Sequence, residues 1–99
     1  MTETRRESLL ELWDAWERLK SLDDPANKKL SITAILDKVA SESLFRATLE
    51  IESTELTRIG NSFQIRHSEV GKPAIVDSGH VDYLFHRLFA FIKLILGTR

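Results

Sequence analysis

The chain has no cysteine, which excludes a disulfide framework, a thiolate zinc site and thiol catalysis. Proline and glycine are scarce, two and four in 99 residues, so the sequence is neither collagenous nor a low-complexity linker. An excess of one charge sign is missing too. Fourteen Lys and Arg stand against fifteen Asp and Glu, a formal charge of −1, which excludes a globally basic nucleic-acid binder and leaves room for a local basic patch. There is no long apolar run. The most apolar stretch, Tyr83–Leu96, carries His86, Arg87 and Lys93 and falls short of the roughly 20 apolar residues of a membrane-spanning helix. The N-terminal MTETRRESLL has charge but no apolar run behind it, so it does not read as a secretory signal. These absences predict a cytoplasmic chain with no membrane partner.

What is present is an ordinary globular composition, 42% hydrophobic and 29% charged, with length enough for one domain and too little for two. Arg5–Leu22 reads as an amphipathic helix, with Leu9, Leu12, Trp13, Trp16 and Leu19 at three- and four-residue steps. Asp23-Asp24-Pro25 stops it, with Asp24 as cap and Pro25 as first residue of the next helix. Leu30, Ile32, Ile35, Leu36, Val39 and Ala40 form a second, shorter stripe ending near Ser41, and Ser43 offers a cap for a third helix. Leu44–Ser68 reads two ways. Phe45, Ala47, Leu49 and Ile51 alternate as in a strand, with Gly60-Asn61 as a hairpin turn, whereas Phe45, Leu49, Leu56, Ile59 and Phe63 fall on one helical face. Val70–Gly79 is a loop, and a last helix runs from about His80 to Leu96 with Gly97 as its stop. On that helix Tyr83, Leu84, Phe91, Leu94 and Ile95 share a face, and Phe85, Leu88, Phe89, Ile92 and Leu96 spread the apolar surface almost all round. One small core cannot cover such a helix, which predicts a dimer or a neighbouring domain.

Several polar residues break these patterns. Glu52 falls near the centre of the third helix's apolar arc and Arg87 between Tyr83 and Phe91 on the inner face of the last helix, where each needs a partner or a route to water. Arg87 either packs structurally or lines an anion-binding pocket. With the last two helices antiparallel, it is expected nearer Gly60 and Phe63 than Glu52, and so not paired with Glu52. Asn61, Arg66, His67, Glu69 and Lys72 form the densest polar group, with His80 opening the next element. The group reads either as a solvated helix end or as a site. The histidines and carboxylates lack metal-site spacing, and no phosphate loop or nucleophile elbow is present, so no metal or cofactor is expected.

The stretches SLLELWDAWERLK (Ser8–Lys20), LTRIGNSFQIRHSEVGK (Leu56–Lys72) and HVDYLFHRLFAFIKLIL (His80–Leu96) together resemble the C-terminal domain of AbiJ-type abortive-infection proteins, within the HEPN (higher eukaryotes and prokaryotes nucleotide-binding) superfamily. The resemblance covers most of the chain in the same order. It implies an all-α bundle of four or five helices, with residues 44–68 as one long helix antiparallel to the last, and it implies a homodimer. It also implies a phage-defence role, and in many members a metal-independent ribonuclease built on an Arg and a following His. There His serves as acid or base on a ribose 2′-hydroxyl and Arg stabilises charge on the phosphate. In this chain eight residues separate Arg58 from His67, longer than the family's spacer, and Asn61 stands at the compatible spacing. The candidate site is therefore His67 and Arg66 as catalytic residues, with Asn61, Lys72, Arg87 and His80 as RNA contacts. RNA, a neighbouring effector domain and an antitoxin are the further partners this implies. The alternative is a non-catalytic helical module that dimerises or docks a partner.

Overall fold

A computed structural model of the protein describes residues 2–63 and 71–97. Within them lie four helices: α1 (Thr2–Lys20), α2 (Lys28–Val39), α3 (Ser43–Ser62) and α4 (Ser78–Gly97). Residues 45–62 are helical and no extended strand forms among the described residues, so the protein is an all-α bundle and the hairpin reading fails there.

The ends of the helices differ from expectation for local reasons. α1 closes at Lys20, where Ser21 and Leu22 donate N–H bonds to the Arg18 and Leu19 carbonyls in a tightened turn. Asp24 does not cap α2. Its Oδ1 accepts the N–H groups of Ala26 and Asn27, both at 3.2 Å, which bends the chain through Pro25 and delivers Asn27 as the cap. Asn27 Oδ1 then accepts the Leu30 N–H at 3.1 Å. Ser43 is the first residue of α3 rather than its cap. Glu42 reaches back instead, accepting from the Leu44 N–H at 3.0 Å and the Phe45 N–H at 2.9 Å. α3 stops at Ser62 and Phe63 is extended, so it falls short of the single helix expected through Ser68. Gly60, Asn61 and Ser62 are poor helix formers in succession. α4 begins earlier than His80, because Asp77 Oδ1 accepts the N–H groups of Gly79 (2.7 Å) and His80 (3.2 Å).

α1 packs most closely on α4 and runs parallel to it, with Arg5 meeting Asp82 near one end and Trp16 meeting Phe91 edge-on, centroids 5.4 Å apart, further along. It runs opposite to α3, since Trp13 lies against Gly60 and Lys20 against Thr57. α3 and α4 are therefore antiparallel, as expected, but their backbones stay apart and long side chains span the gap. Trp13, Trp16, Leu36, Leu56, Leu88 and Ile95 are the largest of the fully buried side chains. On α4 the buried face is Val81, Leu84, Leu88, Phe91, Ile92 and Ile95, which corrects the expected grouping: Tyr83 and Leu94 point outward. Phe45 on α3 and Leu30 on α2 are also exposed rather than core, whereas Ser31 is buried and its Oγ accepts the Asp23 N–H at 3.0 Å.

Candidate functional site

Arg66 and His67, the expected catalytic pair, lie outside the described residues. Of the expected RNA contacts, Asn61 and His80 belong to the same end of the bundle, where α3 closes and α4 opens, and Arg87 lies about two turns further along α4. His80 is exposed in the first turn of α4, Lys72 is half-buried in the 71–77 segment, and Asn61 is exposed in the last turn of α3. His80 and Arg87 are seven residues apart, about two turns, and so share a face of α4.

Arg87 is bound to Glu52, contrary to expectation. Its Nε donates to Glu52 Oε2 at 2.9 Å and its Nη2 to Oε1 at 2.6 Å, a two-pronged pair between half-buried side chains. The reason is register. Glu52 lies ten residues before the end of α3 and Arg87 nine residues after the start of α4, so antiparallel packing sets them level. The hydrogen bonds to Glu52 raise the Arg87 pKa above its ordinary value against the opposing effect of burial, and Tyr83 adds a smaller contribution. The guanidinium expected to hold phosphate is thus engaged by a carboxylate. Asn61, nine residues beyond Glu52, is about two and a half turns further on and projects from the opposite face of α3. It is not brought to Arg87.

α4 leaves two apolar strips uncovered beside its core face. On one, Phe85 stacks on Phe89, with ring centroids 5.9 Å apart and planes 10° apart, and Leu96 continues the line; Phe89 is 46% and Leu96 57% exposed. On the other, beside α3, stand Tyr83 at 60% and Leu94 at 37% exposure. Leu44 and Ile51 of α3 are more exposed still.

A second feature was not anticipated from the sequence. A cleft of about 400 Å³ opens between α2 and α3, floored by Ile32, Leu36 and Ser53 and flanked at one end by Lys20, Lys28 and Lys29. Lys20 is only 4% exposed. Its Nζ sits 2.7 Å from Glu17 Oε2, donates to Thr57 Oγ1 at 3.2 Å and lies 5.3 Å from the Trp16 ring centroid. Glu17 also takes Lys28 at 3.4 Å. Burial pushes the Glu17 carboxyl up, but hydrogen bonds and charge from Lys20, and then Lys28, outweigh it and leave its pKa below the usual carboxylate range. At the far end Arg46 donates to Asp37, Glu50 and the Thr33 carbonyl. The signal for the buried lysine was present in the sequence: Lys20 follows Trp13 by seven residues and Trp16 by four, which places it on the buried face of α1.

Among the described residues no helix is long and apolar enough to cross a membrane, and no three His, Cys, Asp or Glu side chains gather as a metal site would require. Comparison with protein-family models, with curated proteins and with solved structures finds no match to this chain.

Proposed function

We propose that this chain is a helical association module that pairs with a second copy of itself through the uncovered strip of α4. The observation that carries this is the strip of Phe85, Phe89 and Leu96 beside the core face of α4, in which half-buried Phe85 packs on the core and stacks on Phe89, and Phe89 and Leu96 are exposed. Apolar side chains in a continuous line gain about 25 cal/mol for each Å² withdrawn from water. A two-fold axis lets the same strip cover itself without needing a different partner surface.

A second reading rests on the sequence resemblance and is supported by the all-helical fold with antiparallel α3 and α4. In it the dimer is a HEPN-like phage-defence domain that holds RNA beside His67 and Arg66, with Asn61, Lys72 and His80 as further contacts. The two readings share the dimer and part at the chemistry.

One preparation tests both. Sedimentation equilibrium is expected to give the mass of two chains for the wild type and of one for Phe89→Glu, and a monomeric wild type overturns the pairing. Incubating wild type and His67→Ala with RNA decides the chemistry. Cleavage lost in the variant selects the ribonuclease, and no cleavage by the wild-type dimer leaves the association module alone.

A further inference from the structure

The cleft between α2 and α3 gathers positive charge where the fold does not require it. Lys28 and Lys29 open α2, and its first turn has no acidic residue. The helix dipole makes that end positive, so two lysines there are placed against the field. Lys20 adds a third ammonium from the buried face of α1. Glu17 is the carboxylate that meets Lys20 and Lys28, and Lys29 has no ion-pair partner among the described residues. Three cations against one carboxylate leave two positive charges at one end of a concave site. Away from that end the lining is Ile32 and Leu36 on the floor and Thr54 and Thr57 along α3, and at the far end Arg46 and Glu50, which pair with each other at 2.7 Å. At about 400 Å³ it has the size of a small-molecule site.

We propose that this cleft binds a phosphate monoester with a small apolar body, the dianionic head between Lys28, Lys29 and Thr57 and the body over Ile32 and Leu36. The charge selects the head. Two unneutralised positive charges match a phosphate monoester dianion, whereas a carboxylate would neutralise only one. Arg46 closes the opposite end, because its guanidinium is already held by Asp37 and Glu50. The ligand therefore has one orientation. The site owes nothing to the pairing of α4, which uses a different helix.

Titrations followed by amide chemical shifts test this, with phenyl phosphate, phenol and inorganic phosphate as probes and Lys29, Ile32, Ser53 and Thr57 as reporters. Phenyl phosphate is expected to saturate these shifts at a concentration about tenfold below either of its fragments. Lys29→Glu alters an exposed side chain and is expected to weaken phenyl phosphate by about tenfold or more, the worth of one charge-assisted hydrogen bond. Lys93→Glu makes the same change of charge on the exposed side of α4 and is expected to leave binding unchanged. The proposal is overturned by absence of saturable shifts at the reporters, by equal loss in the two variants, or by either fragment binding as well as phenyl phosphate.

Discussion

At the scale of single residues, the tightest constraint is where α3 crosses α1. A Cβ built on Gly60 would collide with Trp13 Nε1 and come within 3.1 Å of Cε2 and 3.2 Å of Cδ1. Trp13 is 0% exposed and has no free side to which its ring can retreat. The indole N–H groups of Trp13 and Trp16 are buried without an acceptor among the described residues, an arrangement in which packing outweighs a lost hydrogen bond. Alanine at position 60 gains about 1 kcal/mol of helix propensity over glycine. Overpacking around a rigid ring costs about 1–3 kcal/mol and should prevail. Gly60→Ala is therefore expected to lower the urea midpoint followed by circular dichroism, and an unchanged or raised midpoint contradicts the close crossing. In the sequence this glycine beside Asn61 reads as a hairpin turn, because a glycine required by a distant ring looks the same in one dimension.

At the scale of the helix, periodicity made α1 legible almost residue by residue, since Leu9, Trp13, Trp16 and Leu19 are all core. It did not fix the phase of α4. A helix apolar around most of its circumference has no single face to read, so its pattern groups Tyr83 and Leu94 with the inner face and does not mark Val81, which is buried. The caps escaped for a different reason. Asp24, Asn27, Glu42 and Ser43 all lie near helix starts, and the choice among them depends on which side chain meets the free N–H groups after the turn is made. The choice of Glu42 has a consequence for acid stability. Hydrogen bonds from the Leu44 and Phe45 N–H groups hold its carboxyl below the ordinary 4.5, and Glu17 is held below that value by Lys20 and Lys28 despite burial. A carboxyl whose folded pKa is depressed stabilises the fold fully above its unfolded value and loses that stabilisation as pH falls through the folded one. Glu42→Gln should thus lower the urea midpoint at pH 7, and its gap to wild type should narrow as pH falls from 4.5 towards 3. A difference that persists undiminished at pH 3 contradicts an ionised cap.

At the scale of the whole molecule, four helices leave α4 with more apolar surface than α1, α2 and α3 can cover. Of the candidate site residues, Arg87 is engaged by Glu52 and Asn61 faces away from it, while Arg66 and His67 lie outside the described residues. The register that joins Glu52 to Arg87 is a property of two helix ends and the connection between them, which no local pattern contains. What the sequence did carry to this scale is the excess on α4, and pairing through Phe89 and Leu96 has a thermodynamic signature beyond mass. If folding and pairing are linked, dilution removes the stabilisation that the partner supplies. Each tenfold dilution near the dissociation constant costs about 1.4 kcal/mol per dimer. For a domain of this size a loss of about 1 kcal/mol lowers Tm by roughly 4–8 °C. Wild-type Tm measured across a hundredfold range of concentration should therefore slope upward with concentration. Phe89→Glu should lie on a flat line at or below the dilute wild-type value. A flat wild-type line across that range, with the mass of a single chain, removes the dimer and with it the role assigned to the open strip of α4.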